Sequence, residues 1–126
     1  MPDRAPTFGR KRTTKARAGG SATLRDTSAA YQRLRLSILD DNPLCTYCME
    51  RGHVTPADVV DHILALSLGG SNDRPNLTPA CKTCNDAKGV DETRYLKRGY
   101  ALASVQFDPA LAEWFRLARR TPSLPT

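Results

Sequence analysis

The sequence predicts a small α+β domain that is held together by a metal site. Hydrophobic residues near both ends follow helical spacing, and two short segments between them are predicted to be extended. Four cysteines occur as two Cys-x2-Cys pairs in a chain of 126 residues, of which only 6% are aromatic. A domain with so few large side chains builds a limited core, so a metal staple would add to its stability.

Two amphipathic helices are predicted, one on each side of the cysteine-containing segment. Residues 28–40 form the first, and Asp41-Asn42-Pro43 ends it. The second opens at Asp108-Pro109. Their core-facing positions are Tyr31, Leu34, Ile38 and Leu39 in the first helix and Leu111, Trp114, Phe115 and Ala118 in the second.

The segment between these helices alternates extended and turn-forming stretches. Residues 57–66 are predicted to form a short strand or hairpin arm, and residues 68–76 have the composition of a loop. A second extended piece begins at Leu77. Residues 81–88 are expected to begin a helix that ends at Gly89.

The positive charge is concentrated at the N-terminus. Residues 1–26 carry +5 of the formal net charge of +6, and they show no hydrophobic periodicity. We expect a flexible basic arm that binds phosphates without sequence preference, the alternative being an inert, solvated terminus. Residues 27–120 are expected to form the folded domain and residues 121–126 a tail.

The cysteine chemistry depends on the compartment. The chain has no apolar stretch of the 18 or more residues that would span a membrane, and no apolar run follows its first basic residues. We therefore expect a cytoplasmic protein, in the host cytoplasm if it is viral, where thiols stay reduced. Paired cysteines then favour metal ligands over disulfides.

The double Cys-x2-Cys pattern indicates one structural zinc ion. Two such pairs supply four thiolates in a tetrahedron and leave no open coordination position. The predicted ligands are Cys45, Cys48, Cys81 and Cys84. Unpaired core cysteines and two disulfides remain alternatives. His53 is either a spare ligand or, as we favour, a surface residue.

Between and beside the cysteines lies an ordered set of short motifs. Residues 44–89 resemble the HNH endonuclease family, because they contain in order Asp61-His62, Gly69-Gly70, Asn76-Leu77, Cys81-x2-Cys84-Asn85 and Lys88. The resemblance implies a ββα-metal fold, in which two antiparallel strands precede a helix. In the predicted domain, residues 44–89 would be the core of the nuclease.

The resemblance also implies roles for individual residues. His62 matches the general base that activates water, as suits an imidazole whose pKa lies near neutrality. Asp61 and Asn85 match the ligands of a catalytic divalent cation, for which oxygen donors favour magnesium or manganese. Many relatives have His where this chain has Asn85, so other divalent ions stay open.

The asparagines and nearby cations are assigned less directly. Asn76 matches the middle asparagine of the family and is expected to hold the loop and orient His62 through backbone hydrogen bonds, with Asn72 as the competing choice. Lys88 either touches phosphate or occupies a solvated helix position. Arg74, in the loop, is a weaker candidate for a contact with DNA.

The resemblance implies hydrolysis of DNA phosphodiester bonds, leaving 5′-phosphate and 3′-hydroxyl ends. Small relatives are frequent in bacteriophages and prophages, often associated with DNA packaging, so phage packaging proteins are candidate partners. A non-catalytic zinc module that binds nucleic acid or protein is the main alternative. Such a binding module would not need Asp61, His62 or Asn85. An RNA-directed nuclease is a third possibility.

Overall fold

The computed structural model describes residues 26–119, and the elements follow in the order helix, helix, strand, strand, helix, helix. The predicted arm, apart from its last residue, and the predicted tail lie outside the described residues. Three 3-10 segments connect the elements, at Leu66–Leu68, Arg74–Asn76 and Leu102–Phe107. The elements are α1 (Ala29–Asp41), α2 (Thr46–Glu50), β1 (Val59–His62), β2 (Leu77–Ala80), α3 (Lys82–Arg98) and α4 (Pro109–Ala118).

The two strands form an antiparallel pair that leads directly into α3. Val59 pairs with Ala80 and His62 pairs with Leu77, so the chain reverses through the loop between them. Cys81 follows β2 and caps α3, its sulfur accepting a hydrogen bond from the backbone N–H of Cys84. The order β1-β2-α3 is the ββα arrangement that the sequence predicted, and the α+β fold class is confirmed.

The outer helices begin close to the positions that the sequence predicts, and a side chain caps each start. The Ser28 hydroxyl accepts a hydrogen bond from the backbone N–H of Tyr31, and the Asp108 carboxylate accepts one from Leu111. α1 ends at Asp41, immediately before Asn42-Pro43. The predicted positions of both helices are confirmed.

The expected end of α3 at Gly89 is wrong. The helix continues to Arg98 and ends at Gly99, whose φ of 71° is in the left-handed region that glycine tolerates best. The continuation is favoured by packing, because Tyr95, beyond Gly89, is buried in the core. Tertiary contacts therefore outweigh the cost of about 1 kcal/mol that glycine adds inside a helix.

The core lies where α2, α3 and α4 meet the sheet. α4 buries Leu111, Trp114, Phe115 and Ala118, the four positions predicted to face inward. They pack in one cluster with Cys45, Tyr47, Ile63, Leu64, Leu68, Ala80, Cys81, Cys84, Tyr95, Val105 and Leu117. α1 packs on the other side, where Tyr31 and Ile38 contact Leu77.

The Gly-Gly turn allows the loop between the strands to fold back tightly on β1. A β-carbon at Gly70 would lie 1.8 Å from the backbone oxygen of Leu64, a distance that no side chain tolerates. The loop can therefore approach the end of β1 only with glycine at this position. Among residues 26–119, no helix has both the length and the apolar character needed to cross a bilayer.

Candidate active site and metal centre

The four cysteine sulfurs gather at one point between α2 and α3. All four lie within 4.8 Å of one another, and the Cys48 sulfur is 3.8 Å from that of Cys81 and 3.7 Å from that of Cys84. Zinc–sulfur bonds of about 2.3 Å at tetrahedral angles would separate the sulfurs by about 3.8 Å. The spacing therefore fits one ion held by Cys45, Cys48, Cys81 and Cys84.

The alternatives to a zinc site fit less well. The four thiols are free, and sulfur separations near 3.8 Å are far from the roughly 2 Å of a disulfide bond. Burial raises the pKa of the Cys45 and Cys84 thiols, so a cation is needed to favour their thiolates. His53 is exposed and lies outside the group, as the surface interpretation predicted.

Asp61, His62 and Asn85 line one cleft of about 510 Å³, and Asn76 is not among its lining residues. Asp61 and His62 reach it from the end of β1, and Asn85 reaches it from the first turn of α3. α1 contributes Gln32 and Arg35 to the rim. The fold thus brings together the three residues that the sequence placed in a common site, although their roles remain predictions.

His62 is held by two neighbours. Its Nε2 lies 2.8 Å from Oδ1 of Asn72, and the amide oxygen can only accept a hydrogen bond, so Nε2 carries the proton. The ring of Tyr31 lies nearly parallel to the imidazole, with 6.3 Å between centroids and 13° between planes. This tautomer leaves Nδ1 as the ring nitrogen with an available lone pair.

Asn76 holds the loop rather than touching the imidazole. Its Nδ2 donates to the backbone oxygens of Leu64 and Ser71, at 3.0 and 2.8 Å, and its Oδ1 accepts from the backbone N–H of Leu64 at 2.9 Å. The predicted backbone hydrogen bonds are therefore present. Asn72 and Asn76 were competing candidates for orienting His62 and holding the loop, and the structure divides these two tasks between them. Asn72 contacts the imidazole, whereas Asn76 joins the loop to the backbone of Leu64.

Asp61 is 6% exposed and is bound through one oxygen by two donors. Its Oδ2 accepts a hydrogen bond from the Tyr47 hydroxyl at 2.6 Å and lies 3.2 Å from Nζ of Lys88. Burial, then the charge of Asp61, raises the pKa of Tyr47, so the phenol stays protonated and donates. The aspartate is thus fixed from the interior side of the cleft.

Lys88 is fully buried, so both earlier expectations for it, a phosphate contact and a solvated position, are wrong. Its ammonium donates to the backbone oxygen of His62 at 2.8 Å and to the Glu92 carboxylate. Burial alone would lower the pKa of Lys88, but Asp61 and Glu92 outweigh that effect and raise it. The charged lysine side chain therefore connects α3 to the backbone of β1.

Glu92 is a member of the cleft that the sequence did not predict. It lies one helical turn beyond Lys88 on α3, and it lines the cleft together with Asp61 and Asn85. Burial raises the pKa of its carboxyl group, while Lys88 opposes that rise. The four-residue spacing from Lys88 was the signal in the sequence that could have indicated the pair.

The donor set of the cleft suits a hard divalent cation. Asp61 and Glu92 offer carboxylate oxygens and Asn85 offers an amide oxygen. The buried group contains two carboxylates and one ammonium, so a cation would balance its excess negative charge. The residues present therefore fit magnesium or manganese.

Comparison with known proteins agrees with this geometry. The family model for HNH endonuclease matches residues 45–91. Among solved structures, the chain is similar to the HNH endonuclease of the deep-sea thermophilic bacteriophage GVE2, which was solved with a manganese ion, at 34% sequence identity and a TM-score of 0.49. The match covers 54% of this chain and 77% of that one. No curated protein matches the chain significantly.

The family model spans the segment that runs from the first cysteine pair into α3, and this segment contains Asp61, His62 and Asn85. The identity to the phage enzyme extends over more than two thirds of that protein. The chain therefore belongs to the HNH endonuclease family, and as a member of that family it is a nuclease that acts on nucleic acid.

Proposed function

We propose that this nuclease hydrolyses DNA and depends on magnesium or manganese, with His62 as the general base. The observation that carries the proposal is the convergence of Asp61, His62 and Asn85 on one cleft. A binding module would have no need to gather a carboxylate, an imidazole and an amide at one point.

In the proposed reaction, His62 removes a proton from the water that attacks phosphorus. Asn72 supports this role because its amide oxygen keeps the ring proton on Nε2 and leaves Nδ1 available. Asp61 and Asn85 would hold the divalent cation, with Glu92 beside them. When bound, the cation supplies positive charge against the phosphate and the leaving 3′ oxygen.

The zinc site would have no part in the chemistry, since four thiolates fill its coordination shell. The basic residues of positions 1–26 would add affinity for phosphates without choosing a sequence. We extend the proposal to DNA packaging or processing in a bacteriophage. Support comes from the family resemblance and from the phage origin of the similar nuclease. A phage that carries His62→Ala should then package its DNA poorly.

The test is a cleavage assay with the full, zinc-loaded chain on supercoiled plasmid and on RNA of similar length. Magnesium and manganese should each support cleavage of the plasmid, whereas omission of both should stop it and RNA should stay intact. Cleavage of RNA in preference to DNA would favour an RNA nuclease. A folded protein that binds DNA and cuts neither substrate with any divalent ion would favour the non-catalytic zinc module.

A further inference from the structure

Tyr47 connects the cysteine site to the catalytic cleft. It lies in α2 between Cys45 and Cys48, and its side chain is fully buried. The ring packs edge-on against Trp114, with 5.1 Å between centroids, and the hydroxyl donates to Asp61 at 2.6 Å. The backbone of Tyr47 thus lies between two predicted zinc ligands, and its hydroxyl contacts Asp61, a proposed ligand of the catalytic cation.

Both interior contacts of Asp61 fall on the same oxygen. Tyr47 and Lys88 contact Oδ2, and within residues 26–119 no hydrogen bond or ion pair was found on Oδ1. The carboxylate nevertheless lines the cleft. Oδ2 is therefore committed to the interior, and Oδ1 is the oxygen left for a ligand in the cleft.

The two donors also define the orientation of the carboxylate. The terminal torsion of aspartate is broad and nearly two-fold, so an unrestrained carboxylate samples many orientations. A short hydrogen bond from a rigid, buried phenol selects one orientation before a cation arrives. Outer partners of this kind commonly change metal affinity by about 10–100-fold when they are removed.

We propose that Tyr47 is a positioning residue for the catalytic cation, whose hydroxyl fixes Oδ2 of Asp61 so that Oδ1 faces the cleft. The proposal rests on the proposed role of Asp61 as a ligand. In this arrangement the zinc site affects the catalytic cation as well as the stability of the domain. Because Cys45 and Cys48 flank Tyr47, the zinc that holds them also sets the position of the phenol.

The test measures manganese binding to the zinc-loaded full chain without DNA, from the electron paramagnetic resonance signal of the free ion. Tyr47→Phe removes the hydroxyl and leaves ring and net charge unchanged, and it should weaken manganese binding about 10–100-fold. Tyr95→Phe is the matched control. Tyr95 is also a buried tyrosine, and it donates to the backbone oxygen of Ala101 at 2.6 Å, away from Asp61.

Tyr95→Phe should bind manganese like the parent, and Asp61→Ala should bind it much more weakly. If Asp61→Ala weakens binding and Tyr47→Phe does not, the role of Tyr47 is refuted while the proposed function stands. If Asp61→Ala binds like the parent, the cation site itself is refuted, and the role of Tyr47 with it.

A second measurement allows for Tyr47→Phe molecules that are irreversibly inactive. The manganese concentration that gives half-maximal DNA cleavage does not depend on the fraction of such molecules. It should rise by the same factor as the dissociation constant, while the rate per active molecule at saturating manganese approaches that of the parent. A lower maximal rate with an unchanged half-maximal concentration would instead indicate a purely structural role and overturn the proposal.

Discussion

Replacing Asn76 tests whether the loop between the strands is held by one buried amide. Asn76→Ala removes both hydrogen bonds to the backbone of Leu64, whose N–H and carbonyl oxygen find no substitute partner because the residue is fully buried. The bond to Ser71 is less costly to lose, since Ser71 is exposed and water can replace the amide. The cost should therefore come mainly from the two backbone groups of Leu64.

The magnitude follows from those two groups. Each buried backbone group left without a partner costs about 1–3 kcal/mol, so Asn76→Ala should lower the free energy of unfolding by about 2–6 kcal/mol. That is a large part of the roughly 5–15 kcal/mol that stabilises a typical domain. Urea unfolding in excess zinc, followed by fluorescence of Trp114, the single tryptophan, would measure it.

Asn72→Ala is the matched control for the same loop. The side chain of Asn72 contacts His62 and none of the buried backbone groups that Asn76 holds. Its removal should change the free energy of unfolding by no more than about 0.5 kcal/mol while slowing cleavage. If Asn76→Ala loses less than about 1 kcal/mol, or Asn72→Ala loses as much as Asn76→Ala, the division of roles between the two asparagines is wrong.

Three further predictions concern the zinc site, the basic arm and the glycine turn. Purified protein should contain one zinc per chain, and Cys45→Ser should lose the zinc and unfold, which elemental analysis and urea unfolding would measure. Zinc affinity should decrease as the pH is lowered, because burial raises the pKa of Cys45 and protons then compete with zinc for the thiolate. A chelator titration at several pH values would measure this decrease. Deleting residues 1–26 should reduce the dependence of DNA affinity on salt, measured by fluorescence anisotropy, and an unchanged slope would mean that the arm does not touch DNA. Gly70→Ala should destabilise the domain in urea by more than about 1 kcal/mol because of the contact with Leu64, and parental stability would show that the loop can move away.

The site could be predicted from the sequence where spacing dictates chemistry. The paired cysteines predicted a four-sulfur site because two intervening residues direct both thiolates at one ion, and the described residues contain that group. The helical spacing from Ser28 and the Asp108-Pro109 pair marked two helix starts for a similarly local reason, and a side chain caps each start. Asp61 and His62 needed the family resemblance, since a carboxylate beside an imidazole is common in proteins without catalytic roles.

The rest depended on tertiary contacts that no local pattern reports. Gly89 looked like a helix end, but the burial of Tyr95 carries α3 past it. Lys88 looked like a surface cation, and only the fold shows it enclosed by Asp61, Glu92 and the backbone of His62. Its partners are up to 27 residues away in the chain, a separation over which sequence periodicity carries no information.

Single-turnover cleavage of DNA by the His62→Ala variant measures whether His62 is the general base of this nuclease. The variant should cut DNA about 10²–10⁴-fold more slowly than the parent, because a positioned base contributes about that factor. The variant should keep its zinc, since His62 is not one of the predicted zinc ligands. It should also keep its affinity for DNA, because phosphate contacts come from other groups. Added manganese should partly restore Asp61→Ala but not His62→Ala. A folded, zinc-containing His62→Ala protein that cuts DNA as fast as the parent would show that His62 is not the general base.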